Sequence, residues 1–118
     1  DCFTSFALIK KDFERYLSRL HEVLRNKGLF HCQIFSSKSD LFLNYKPAIK
    51  LDKYSLNRIK RKNSPFPNDP YLFSFYDKKT LYKILKKLKF KNINIETHSR
   101  TYRGSKEFVE YFVIECQK

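Results

Sequence analysis

Apolar residues fill most of positions 1–9, Asp1-Cys2-Phe3-Thr4-Ser5-Phe6-Ala7-Leu8-Ile9, before Lys10 and Lys11 close the run. A short apolar run of this kind predicts a strand buried on both faces, as in the centre of a parallel sheet. From Asp12 the period changes. Phe13, Tyr16, Leu17, Leu20, Val23 and Leu24 recur at helical spacing and predict one stripe of an α-helix over residues 13–26. Asp12 suits its N-cap, Glu14 its positive start, Arg25 and Lys27 its end, and Gly28 a left-handed residue just beyond it. Residues 29–35 make a second apolar run, ended by Ser36-Ser37-Lys38-Ser39-Asp40, residues that favour turns. Strand, helix and strand with such short joints force the two strands to be parallel.

Residues 40–72 hold no sustained period. They contain Pro47, Pro65, Pro67 and Pro70, and seven Lys or Arg between Lys46 and Lys62 against one acid, Asp52. They read as a basic, Pro-containing insertion with one short helix near residues 52–61, inside a single α/β domain spanning 1–118. Regularity returns at Asp77, a predicted N-cap for a helix whose stripe is Leu81, Ile84, Leu85 and Leu88. Lys78, Lys79, Lys83, Lys86 and Lys87 occupy its outer side. Ile93 and Ile95 alternate with polar residues over 92–97, and residues 108–116 are again strand-like beyond Arg103-Gly104-Ser105, which predicts a closing hairpin. There is no internal repeat.

Composition bounds the picture. A chain of 118 residues is one domain, and 42% apolar content with 12 Phe and 8 Tyr supports a core and excludes a disordered tail. No stretch of 18 apolar residues and no secretory leader pattern occurs, so a soluble, cytoplasmic protein with no membrane partner is expected. With Asp1 first and no Met anywhere, the natural start is expected to lie upstream. Cys2, Cys32 and Cys116 lack disulfide or zinc spacing and are expected to be reduced, buried thiols. His21, His31 and His98 have no ligand spacing either, so no metal site is expected. No P-loop, Gly-x-Ser-x-Gly elbow or His-Glu-x-x-His helix appears, and Asp12, Glu14, Asp52, Asp69 and Glu107 form no recognisable pair; hydrolase and phosphotransferase chemistry has no support.

The net charge of +13 and pI near 9.8 would ordinarily point to a polyanionic partner. Yet 18 of the 25 basic residues are Lys, in a chain rich in Phe, Tyr, Ile and Asn with two Gly and two Ala, a bias that AT-rich codons also produce. Charge alone does not decide the matter.

The order of pieces, with certain residues, resembles the C-terminal half of class I S-adenosylmethionine-dependent methyltransferases, over roughly residues 1–38 and 73–118. That family has a strand opening with Asp and reaching Ser, here Asp1-Cys2-Phe3-Thr4-Ser5-Phe6. A helix closes in a segment like Glu-Val-Leu-Lys-Pro-Gly-Gly, here Glu22-Val23-Leu24-Arg25-Asn26-Lys27-Gly28. A later Leu-rich helix ends in Gly-Phe before a strand, here Leu81, Leu85 and Leu88-Lys89-Phe90, followed by a final antiparallel pair, here residues 92–97 and 111–118. Asn26-Lys27 stand where the family has Pro and its first Gly, and Lys89 where it has Gly.

The resemblance implies a partial Rossmann-like open sheet, β-α-β, insertion, then α-β-β with an antiparallel last strand, the family's strands neighbouring in the order 4-5-7-6. The family's glycine-rich loop has no counterpart here, since Gly28 and Gly104 lie elsewhere. The cofactor S-adenosylmethionine would therefore be held mainly by the upstream half of the same protein, and this portion would be inactive alone. Ligands of open α/β sheets bind outside the carboxyl ends of parallel strands, which selects Ser5, Phe6, Lys10, Ser36 and Lys38 toward an unidentified methyl acceptor. Tyr45 joins them from the insertion, where related enzymes place a substrate lid. The alternative is a small basic α/β module that binds RNA or another polyanion without catalysis, through Arg58, Lys60, Arg61 and Lys62 and the lysines of 78–91.

Overall fold

Six strands form one sheet in the order β2-β3-β4-β1-β6-β5. The computed structural model describes residues 1, 4–59, 71–102 and 104–118. In chain order these comprise a 3₁₀ turn (Ser5–Ala7), α1 (Lys10–Val23), β1 (Leu29–Ser36), α2 (Asp40–Leu43), β2 (Ile49–Lys50), β3 (Ser55–Asn57), β4 (Phe73–Tyr76), α3 (Lys78–Lys87), β5 (Lys91–Tyr102) and β6 (Glu107–Gln117).

β1 is parallel to β4 and antiparallel to β6, and β5 and β6 form the expected antiparallel hairpin. The α/β class and the open sheet with an antiparallel last strand stand as expected. The neighbouring order β1-β6-β5 is the one the resemblance implied for strands 5, 7 and 6. Beside β1, where strand 4 is expected, Asp1 is bonded to the strand. The Asp1 nitrogen donates to the His31 carbonyl at 2.7 Å and the Gln33 N–H donates to the Asp1 carbonyl at 3.2 Å, the bonding of a one-residue parallel bridge. Further along, β4 completes that edge of β1, with Phe35 beside Phe75 and Ser36 beside Tyr76.

Residues 5–7 are a 3₁₀ turn rather than the expected strand because the Asp1 carboxylate accepts the N–H groups of Thr4 (2.8 Å) and Ser5 (3.1 Å). Local bonds of this kind compete with a sheet ladder. The hydroxyls of Ser5 (2.6 Å) and Tyr16 (3.0 Å) donate to the same carboxylate.

α1 begins three residues earlier than the periodicity predicts, with Ile9 as N-cap and Asp12 inside the first turn. The first helical N–H, that of Lys10, points to Asp52 from the chain between β2 and β3. Phe13 and Leu17 are buried, but Val23 is 77% exposed. Ten residues past Phe13 lies about 80° off its line at 100° per residue, whereas Leu24, eleven past, returns to it and packs on the core. Gly28 does not hold the left-handed backbone; Lys27 does, at φ 61°. Gly28 is needed for space, since a Cβ there would meet the Arg25 carbonyl oxygen at 2.8 Å.

The helix expected near residues 52–61 is absent from its described part, where residues 55–57 form β3 against β4. Asp77 caps α3 as expected, accepting the Thr80 N–H at 2.7 Å. One core lies between the two long helices and a single face of the sheet: Phe13 and Leu17 of α1, Leu81, Ile84 and Leu85 of α3, Phe30, Cys32 and Ile34 of β1, and Phe112, Ile114 and Cys116 of β6. The opposite face carries rings, Phe6, Phe35 and Phe73 packed mutually and Phe42 on Phe75.

Candidate functional site

At the carboxyl ends of the parallel pair β1 and β4 the chain leaves the sheet into Ser37-Lys38 and into Asp77-Lys78, and the two exits diverge around a cavity of about 130 Å³. Ser36, Lys38, Asp77, Lys78, Thr97 and Glu110 contribute to its walls. Glu110 lies one residue beyond the Phe35–Tyr111 pair of the β1–β6 ladder, on the face that continues through Phe112, Ile114 and Cys116 into the core, and the residue is only 9% exposed. The Ser36 hydroxyl donates to Glu110 Oε1 at 2.6 Å. Ser39 clamps the same residue by its backbone: its hydroxyl donates to the Glu110 carbonyl (2.8 Å) and accepts the Glu110 N–H (3.0 Å). Oε2 of Glu110 has no hydrogen-bond partner among the described residues and is left as an acceptor at the cavity. A carboxylate so fixed can accept a hydrogen bond or proton from an N–H or O–H group that enters.

Of the expected site residues, Ser36 and Lys38 come together here, with the Lys38 N–H donating to the Ser36 hydroxyl at 3.2 Å. Phe6 is on the ring-bearing face of the sheet, lining a groove of about 240 Å³ with Phe35, Tyr111, Arg100 and Tyr102. Arg100 stacks over the Tyr102 ring at 4.2 Å. Ser5 is fully buried in the turn held by Asp1. Lys10 pairs with Glu14 at 3.3 Å and lies over the Tyr54 ring. Tyr45 lies apart, its ring under Lys50, in a shallow depression with Leu43, Asn44 and Lys46. Arg58 is exposed, with its N–H bonded to its neighbour Asn57 and φ at 57°; Lys60, Arg61 and Lys62 lie outside the described residues.

Glu110 was not among the expected residues, although the sequence carries a signal for it. Positions 110, 112, 114 and 116 alternate onto one face, and a Glu in line with Phe, Ile and Cys is a carboxylate aimed at a core. Beside the cavity, Tyr76 at the end of β4 is wholly buried between Tyr54 and Phe13, and its hydroxyl has no partner among the described residues. Burial, reinforced by the nearby Asp52, pushes that hydroxyl above the usual tyrosine range, so it stays protonated. Among the described residues no group of three His, Cys, Asp or Glu could hold a metal, and no helix is long and apolar enough to cross a membrane.

The architecture is that of a methyltransferase-type open α/β sheet, present here in part. A SAM-dependent methyltransferase from Methanosarcina mazei shares it with a TM-score of 0.67 at 18% identity, over 92% of this chain and 51% of that one. The 1,6-didemethyltoxoflavin-N1-methyltransferase of Burkholderia thailandensis, solved with 1,6-didemethyltoxoflavin and S-adenosylhomocysteine, does so with a TM-score of 0.56 at 18% identity, over 98% of this chain and 40% of that one. The chain thus spans about half or less of the length of these solved structures. No family model matches it, and no curated protein matches it by sequence.

Proposed function

We propose that this chain forms the acceptor-side portion of an S-adenosylmethionine-dependent methyltransferase, completed by an upstream segment that binds most of the cofactor. The observation that carries the reading is the likeness of 92% of the chain to 51% of a methyltransferase, combined with a cavity bearing Ser36, Asp77 and Glu110 at the carboxyl ends of its parallel strands. S-adenosylmethionine, when bound, supplies a methyl group already activated on a sulfonium. The described residues lack a cradle for its nucleotide: Gly28 packs on the end of α1 and Gly104 lies between β5 and β6, so neither lies in a strand-to-helix loop. What they offer is an acceptor wall. Glu110, fixed by Ser36 and Ser39, accepts a hydrogen bond from an acceptor N–H or O–H and orients it, which is most of what such a transfer asks of a protein.

Calorimetry with S-adenosylmethionine tests the division of labour. The 118-residue chain alone is expected to show no binding, and the gene product extended upstream to bind it, with Glu110→Gln leaving that affinity unchanged. Equal affinity in the short chain, or none in the long one, would sink the proposal.

A further inference from the structure

Between Lys78 and Lys91 the chain carries seven lysines and no acid, all seven are exposed, and none has an ion-pair partner among the described residues. On α3 they are stacked against one another. Lys79, Lys83 and Lys87 form an unbroken i, i+4, i+8 row, a like-charge arrangement that destabilises a helix, and Lys78 and Lys79 sit at its positive N-terminal end, with no acid in the first turn. A helix that only needed a wet outer side would be more stable with acids interspersed. Beside this row a groove of about 520 Å³ runs between α3 and the edge strand β5, walled by Lys78, Lys79, Tyr82, Ile93 and Asn94. Tyr82 is 47% exposed, a flat ring set among the cations.

We propose that this groove binds a single-stranded nucleic acid, its phosphates along the lysine row and a base on Tyr82. A cationic track interleaved with an exposed ring is how sequence-tolerant single-strand sites are built. An anionic membrane fits less well: interfacial helices press an apolar face into lipid, and the apolar face of α3, Leu81, Ile84 and Leu85, is committed to the core. The inference does not depend on methyl transfer. Lys78 belongs both to this groove and to the Glu110 cavity, so a bound strand runs past the mouth of that cavity.

Fluorescence anisotropy of the full chain with a mixed-sequence single-stranded RNA of about ten nucleotides, over a salt series, tests it. Lys79→Gln/Lys83→Gln/Lys87→Gln is expected to weaken binding and reduce the slope of log K against log salt by about 2, at ~0.7 per phosphate contact. Its thermal midpoint should be no lower than that of the parent, because repulsion has been removed. Tyr82→Ala should weaken binding about 5- to 150-fold with the slope unchanged. An equal loss from the exposed set Lys11→Gln/Lys46→Gln/Lys106→Gln, outside α3 and β5, would reduce the effect to overall charge and overturn the proposal. Unchanged affinity in Tyr82→Ala, or binding to phosphatidylglycerol vesicles with the same sensitivity to the triple variant but none to RNA, would overturn it too.

Discussion

Lys27 and Lys89 hold backbone that L-residues avoid, at φ 61° and 66°, and both stand where the methyltransferase pattern has glycine. A left-handed L-residue costs about 1–2 kcal/mol, while the extra freedom of glycine in the unfolded chain takes back about 0.5–1 kcal/mol. Lys89→Gly is therefore expected to raise stability by about 0.5–1 kcal/mol, read as a higher urea midpoint at unchanged slope. Gly28→Ala should do the opposite, because its Cβ would be pressed to 2.8 Å from the rigid Arg25 carbonyl at the end of α1. At this scale the sequence was partly legible: Gly28 was visibly special, but its reason was space rather than a left-handed turn. Glu110 shows the other kind of miss, since an acid inside an apolar strand becomes meaningful only when Ser36 and Ser39 are brought to it from β1 and the segment after it.

Among the elements, α3 was legible at its start and along its length because a strong local signal fixes each, the Asp77 cap and the Leu81-Ile84-Leu85 stripe, whereas no local signal marks the break at Lys89. The start of the chain was not, because the period of residues 1–9 fits a strand while the Asp1 carboxylate, bonded to the Thr4 and Ser5 N–H groups, favours a turn. Nor could β3 be read, three residues whose pairing with β4 is non-local. The cap of α3 supplies a pH test. Burial acts to raise the Asp77 pKa, but the Thr80 hydroxyl and N–H bonds outweigh it and the carboxyl titrates below its usual range. A folded-state pKa below the unfolded one means stability present above the unfolded value and lost as pH falls through the folded one. Asp77→Ala should cost about 0.5–2 kcal/mol at pH 7. The gap between the two proteins should narrow as pH falls below about 4, followed by denaturant melts at several pH values. A gap that stayed constant with pH would assign the loss to packing instead of the charged cap.

For the whole molecule, the helices α1 and α3 and one sheet face close a single core, and the described thiols sit at its centre on neighbouring strands. Cys32 and Cys116 are each 1% exposed. Burial pushes the Cys116 thiol up to about 12, so at pH 8 it holds its proton in the folded chain while an unfolded thiol near 9.0 begins to lose it. A folded pKa raised in this way stabilises the protein fully below the unfolded value, and the contribution is lost as pH climbs from about 9 toward 12. In a Cys2→Ser background, which leaves the described pair, Ellman's reagent at pH 8 should find no reactive thiol in the native protein and both after denaturation. The native labelling rate then measures opening of the core itself. The triple lysine variant, which touches only the outer side of α3, should leave that rate unchanged or slow it, whereas Gly28→Ala, which strains the joint between α1 and β1, should raise it. Prompt labelling of either thiol in the native parent would mean that the layer of α1 and α3 over the sheet is not closed in solution.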